Sequence, residues 1–301
     1  MLSLLNPASQ SFINNLDRVS QRLSQEQQQI SSGLRVANVS DDPDSVSEIL
    51  QVRAHLSSNQ QVLQNLGRVT TETTSADQAL QSATTLMDKT RTLAAQAASG
   101  TQTADTQKDL AQQVGAILEQ LVGLANTTVE GRYVFGGDSD QTAPYSVDLT
   151  QTAPVSSYQG SATTREVQHP DGTTFRVAET AQQIFDAPAA NQNVFSSVLG
   201  LYTALQTNDT AGIDTAIQNV TGAGTYLNTQ LAFYGSVENK ITDATNFGNS
   251  LQLQLQTQIS QLQDADSAQV IVQMTQDQTA QQAAIQSWAQ IPRTTLFDFL
   301  K

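Results

Sequence analysis

Residues 12–30, FINNLDRVSQRLSQEQQQI, set Phe12, Leu16, Val19 and Leu23 at alternating steps of four and three, put Glu26 at the next position and return to Ile30. That spacing predicts an α-helix whose apolar residues form one narrow seam of coiled-coil type, interrupted once by a carboxylate. A helix with a single thin edge cannot bury it alone, so the seam requires a partner.

Outward from this stretch, Gly33 and Ser40-Asp41-Asp42-Pro43 break the pattern. Asp41 or Asp42 ahead of Pro43 suits a new helix start, with a carboxylate cap and proline in the first turn. Helical spacing then resumes through Ile49, Val52, Leu56, Leu63 and Leu66, continues to Leu93 and Ala97, and stops near Gly100. A third helix fits Leu110, Val114, Ile117, Leu118, Leu121 and Leu124. Between Gly131 and about Pro188 glycine, proline and β-branched residues gather, Phe175 and Val177 alternate around Arg176, and Asp171-Gly172 offers a hairpin turn. Helical spacing returns from Val194 to Leu205 and through Ile213, Ile217 and Val220. A long polar run follows, with Leu251, Leu255, Ile259 and Leu262 as its stripe and Ile271, Met274, Ile285 and Trp288 as its continuation up to Pro292. The chain closes on the apolar Leu296-Phe297-Asp298-Phe299-Leu300.

This order predicts a mainly α fold with a small β insert: an elongated antiparallel helical bundle with coiled-coil helices at both termini. The expected parts are a terminal assembly domain (1–40 with 256–301), a helical bundle (41–131 with 191–255) and the β insert (132–190). Composition agrees, since 38% apolar and 5% aromatic residues suit slender bundles better than a round core. Twenty-eight acidic against 14 basic residues give a net charge of −14, which argues against nucleic acid and anionic membrane surfaces as partners. The absence of cysteine removes disulfides and thiol chemistry. The first residues carry no basic leader or cleavage site of the general secretory kind, and no run of ~18 apolar residues suggests a membrane span.

Several of these stretches resemble the flagellin superfamily. Leu16-Asp17-Arg18-Val19-Ser20, Gln29-Ile30-Ser31-Ser32-Gly33-Leu34-Arg35-Val36 and Ser40-Asp41-Asp42-Pro43 are similar to its N-terminal segment, and Asp264-Ala265-Asp266 to its C-terminal one. Gly131-Arg132-Tyr133-Val134-Phe135-Gly136-Gly137, the short insert and the closing apolar tail resemble its hook-associated branch, which joins hook to filament. Gln290-Ile291-Pro292 is closer to the filament branch. The resemblance implies a non-enzymatic subunit exported by the flagellar type III route to the cell exterior. Implied partners are copies of itself, flagellin, hook-associated protein 1 and an export chaperone, with neither cofactor nor metal. The β insert would lie farthest out.

The residues expected to make contacts between copies are Phe12, Leu16, Val19, Leu23, Ile30, Gly33, Leu34, Arg35, Ile259, Leu262, Ile271, Met274, Ile285, Trp288, Leu296, Phe297, Phe299 and Leu300. Competing chemistry finds little support. Asp41, Asp42, Asp44 and Glu48 lack the spacing of a calcium loop. His55 and His169, the two histidines, are far apart in sequence and lack the one-turn spacing of a zinc protease. Gly222-Ala223-Gly224 is too short for a dinucleotide site. Tyr133, Tyr145, Tyr158 and Phe175 could stack on glycans in an adhesive module or form the insert's own core.

Overall fold

The computed structural model describes residues 7–99 and 102–290. In chain order the elements are α1 (Pro7–Ser32), α2 (Pro43–Ala97), α3 (Ala104–Ala125), β1 (Thr128–Val129), β2 (Arg132–Tyr133), β3 (Glu166–Gln168), β4 (Thr174–Arg176), α4 (Ala181–Phe185), α5 (Val194–Thr207), α6 (Thr210–Gln263) and α7 (Ser267–Ala289). The mainly α fold is as the sequence predicts. The four tail residues Leu296, Phe297, Phe299 and Leu300, and Pro292, lie outside the described residues. Contacts divide the chain into two units, 1–58 with 251–301 and 59–250.

The second unit is built on heptads that the amino-acid letters partly conceal. In α2, Leu66, Thr73, Ala76, Leu80, Ala83, Met87, Thr90, Ala94 and Ala97 are all buried, and with half-buried Val69 they recur at steps of three and four. In α6 the series Ile213, Ala216, Val220, Ala223, Leu227, Gln230, Tyr234, Val237, Ile241, Ala244 and Gly248 does the same. Sustained 3.5-residue spacing keeps one edge of each long helix facing inward. The Thr90 hydroxyl reaches this interior by donating to the carbonyl of Leu86 one turn earlier, at 2.8 Å. Asn59 donates through Nδ2 to the Gly248 carbonyl at 2.8 Å and ties the two helices in register. A methyl group at Gly248 would come within 2.7 Å of Leu63 Cδ2 and 3.1 Å of Pro170 Cγ, so these side chains pack close on the backbone there. α3 packs on α5, and Val114, Leu118, Leu121, Val198, Leu201 and Leu205 join the same core.

The β segment belongs to this second unit and is mostly irregular. Its regular parts are two short antiparallel hairpins and the five-residue helix α4, which falls inside the stretch expected to be a β insert. The β1–β2 turn is Glu130-Gly131 with φ of 52° and 77°, the left-handed pair a two-residue turn between right-twisted strands requires. In the second hairpin Val167 pairs with Phe175 around residues 169–173, and Gly172 takes φ 94°. Val167 and Val177 pack on Val62, Leu66, Val237 and Ile241. Arg165 meets Glu72 at 2.8 Å, and the Arg176 guanidinium lies 5.3 Å from the Phe233 ring centre.

Gly131-Arg132-Tyr133-Val134-Phe135-Gly136-Gly137 anchors the segment. Phe135 is fully buried and meets Phe185 and Tyr234 edge to face, at 5.9 and 6.3 Å. Its carbonyl accepts from the Ala181 amide at 2.8 Å and the Tyr158 hydroxyl at 3.1 Å. Gly137, at φ 64°, sits so close to the Ser161 and Thr163 carbonyls that a Cβ would collide with both. Replacing Phe135 with Ala should therefore lower stability by about 3–5 kcal/mol. Urea unfolding followed by far-ultraviolet circular dichroism measures this, and a loss below ~1 kcal/mol would contradict the anchoring role.

Candidate assembly surface

Both chain ends contribute to the first unit. Here α1 and α7 pack against each other in antiparallel fashion. Phe12 stacks on Trp288 at 4.4 Å, Ser20 accepts from Gln281 at 3.3 Å, and Arg22 donates to both oxygens of Asp277 at 2.6 and 3.0 Å. These contacts fix a register in which Leu16, Val19, Leu23, Glu26 and Ile30 stand level with Ala284, Gln281, Asp277, Met274 and Val270. The α1 seam assigned from sequence to contacts between copies is thus occupied, within the chain, by α7.

Ile271 and Ile285 sit one residue away from the α7 seam. Val270 and Ala284 hold the positions expected of them, and both isoleucines point outward at 49% and 51% exposure. Met274, Gln281 and Trp288 fit two phases of the repeat, and the structure takes the one that adds Val270, Asp277 and Ala284 instead of Ile271, Gln278 and Ile285. The sequence also reads as one helix through residue 290, whereas the structure has a break: α6 ends at Gln263 and α7 begins at Ser267.

The break is set by residues more than 220 positions earlier. Gly33 adopts φ 73°, which turns the chain after α1, and Leu34 bridges Asp264 in antiparallel fashion. The Arg35 amide donates to the Gln263 carbonyl at 2.7 Å and the Ala265 amide to the Gly33 carbonyl at 2.9 Å. Arg35 also donates through Nη2 to the Leu262 carbonyl at 2.7 Å and through Nη1 to Asp42 at 3.1 Å. Asp42 caps α2 by accepting from the amide and hydroxyl of Ser45, and these bonds with Arg35 hold its carboxyl at about 2. Asp41 accepts from the amides of Ala37 and Asn38, and Asp266 caps α7 through the amides of Ala268 and Gln269. All four aspartates, Asp41, Asp42, Asp264 and Asp266, thus organise the crossing of two loops. Among the described residues no cluster of three or more metal-ligating side chains occurs.

Glu26 is the anomaly in the seam. It is 8% exposed, its Oε2 has no hydrogen-bond partner, and burial, reinforced by Asp277, pushes its carboxyl above the ordinary range. Asp277 is shifted the other way by its bonds to Arg22.

Large apolar side chains left exposed concentrate in this unit. Among the described residues Ile13, Ile30, Val39, Leu50, Leu253, Ile271, Val272 and Ile285 belong to it, and of the exposed large hydrophobics Phe247 alone lies in the second unit. Ile259 and Leu262 on α6, and Leu34, which bridges Asp264, are half-buried. The aromatic residues considered for glycan stacking turn inward instead: Tyr145 is 1% exposed and packs on Phe195 and Tyr158, while Tyr133, Tyr158 and Phe175 are half-buried. His55 and His169 fall in different units.

Trp288, the single tryptophan, stacks on Phe12 and so reports on the α1–α7 pair directly. A raised folded pKa means folding takes up a proton, so Glu26 favours the pair as pH falls through its elevated pKa. For Asp277 and Asp42 the sign is opposite: their contribution is present above the ordinary carboxylate pKa and is lost as pH falls through their depressed values. The urea midpoint read by Trp288 fluorescence should rise on mild acidification and fall at strongly acid pH. Glu26→Gln should abolish the rise, and Glu26→Leu should add about 1 kcal/mol at neutral pH. A midpoint in Glu26→Gln that still rises on acidification would show that another group is responsible.

Two family models match the chain: the bacterial flagellin N-terminal helical region over residues 5–140 and the bacterial flagellin C-terminal helical region over residues 212–300. Flagellar hook-associated protein 3 of Escherichia coli strain K12 is 26% identical over 303 residues, covering 91% of this chain and 92% of that protein. Flagellin B of Helicobacter pylori strain 26695 is 26% identical over 148 residues, covering 49% of this chain and 29% of its own length. The solved structure of a putative flagellar hook-associated protein from Vibrio parahaemolyticus superposes with a TM-score of 0.66 at 18% identity, over 74% of this chain and 100% of that one, and shares its fold. The matched regions hold both arms of the α1–α7 pair and both long heptad helices, and on that basis the chain belongs to the flagellin family.

Proposed function

We propose that this chain is a structural subunit of the bacterial flagellum at the junction between hook and filament, polymerising through the unit its two ends build. The observation that carries assembly is the concentration of exposed large hydrophobics on that unit; in the second unit Phe247 alone among the described residues is comparably exposed. Unburied apolar groups gathered in one region of a chain otherwise rich in polar residues favour a surface completed by other molecules. The junction role rests on likeness of extent. The chain parallels a hook-associated protein 3 along nine-tenths of both lengths, but a filament protein along less than a third of the latter.

In this reading the partners are copies of the chain, with hook-associated protein 1 on one side and flagellin on the other. Delivery runs through the flagellar type III pathway with a chaperone, and the protein works outside the cell. Its action is mechanical continuity, with no bond made or broken. Energy spread over many thin helical contacts is released only when neighbours are present, so the assembled form is favoured by mass action.

Removing the gene from its host should leave cells with bare hooks that shed flagellin into the medium, as electron microscopy and analysis of the supernatant would reveal. Intact filaments in the deletion strain would sink the junction role. Purified chain that grew long filaments on seeds would point to a filament subunit instead.

A further inference from the structure

We infer that one particular face of the α1–α7 pair, marked by Ile13, Ile271 and Ile285, receives the terminal helix pair of a second copy. The inference rests on the proposed self-assembly and specifies where it occurs. With the core residues of the pair at heptad positions a and d, Phe12, Val19 and Glu26 are d residues of α1, and Val270, Asp277 and Ala284 are d residues of α7. In an antiparallel pair the e positions of both helices then fall on one face and the g positions on the other. The e face carries Ile13, Ser20 and Gln27 from α1, level with Ile285, Gln278 and Ile271 from α7. The g face carries Asn15, Arg22 and Gln29 with Gln273, Ala280 and Ser287.

The two faces differ in kind. All three isoleucines of the e face are exposed, at 39, 49 and 51%, and no e position is charged in a chain of net charge −14. The g face holds no large apolar residue and carries Arg22, already committed to Asp277. Ile271 and Ile285 are two heptads apart, about 21 Å along the helix, so what covers them must be long and straight. A further helix with the same repeat meets that need, and the same chain supplies one. An uncharged stripe also lets strongly acidic copies approach where repulsion is least. Three partly exposed isoleucines fall far short of the ~800 Å² a side typical of a stable pairwise interface, so one such contact is weak and gains strength by repetition in a polymer.

The cysteine-free sequence allows a direct test on the full chain. Gln278→Cys places a thiol at the centre of the e face and Ala280→Cys at the centre of the g face, with every isoleucine retained. In seeded, sedimentable assemblies a short bismaleimide should link copies through Gln278→Cys at least about fivefold more than through Ala280→Cys. The triple variant Ile13→Gln, Ile271→Gln, Ile285→Gln should need roughly tenfold more protein to assemble, while its Trp288 urea midpoint stays unchanged; Asn15→Ala with Ser287→Ala should assemble normally. Equal or reversed cross-linking, or a triple variant that assembles as wild type, overturns the inference while leaving self-assembly standing. So does a Gln278→Cys thiol that is shielded in the monomer until residues 291–301 are removed, since the chain's own tail would then be the occupant. A wild-type chain that fails to assemble on seeds defeats the proposed self-assembly itself, and this inference with it.

Discussion

A helix whose apolar residues recur every 3.5 positions has one edge to hide, and only another edge of the same repeat can hide it along its whole length. The architecture follows from that constraint. α2 and α6 run their seams through the second unit and gather α3, α4 and α5 around them, while α1 and α7 apply the same rule with far less material. In the second unit the edge is filled almost without interruption. Between α1 and α7 it is held by one aromatic stack, one bidentate ion pair and a few half-buried aliphatics, with a buried carboxylate in the middle.

The two loops that cross beside the terminal pair supply what the seam lacks. Backbone bonds between Gly33–Val36 and Gln263–Ala265 join segments at opposite ends of the sequence, and Arg35 reaches both a carbonyl on one side and a helix-capping carboxylate on the other. A charged donor with several fixed acceptors gives direction as well as attraction, which apolar contact cannot. The position of α7 against α1 therefore depends on polar geometry at one end and on ring stacking at the other.

Much of this was legible in the letters. Phe12 to Ile30 announces α1, Asp42-Pro43 marks the start of α2, and Val167, Asp171-Gly172 and Phe175 outline the second hairpin. Other features were hidden for definite reasons. Thr73, Thr90, Asn59, Gln230 and Gly248 hold seam positions, so a search for large apolar residues sees gaps where the structure has continuity. The break at Asp264-Ala265-Asp266 contains nothing that forbids helix. It is imposed by pairing with Leu34, and a contact so remote leaves no local trace. Met274, Gln281 and Trp288 are common to two phases of α7, and the apolar bulk of Ile271 and Ile285 points to one of them, whereas the structure uses the other, through Val270 and Ala284. In the β segment Asp171-Gly172 marks a hairpin, but glycine, proline and β-branched residues serve turns and irregular packing around Phe135 and Tyr145 as readily as strands, so the irregular part had no local signature.

The alanine and threonine content of the long seams bears on stiffness. Alanine has no rotamers to freeze and threonine few, so ordering these edges loses little side-chain freedom compared with leucine or methionine. Small side chains also let neighbouring helix axes approach toward the lower end of the usual ~8–10 Å range. Helices with little bulky apolar mass can in this way be held close side by side, trading thickness for closeness of fit.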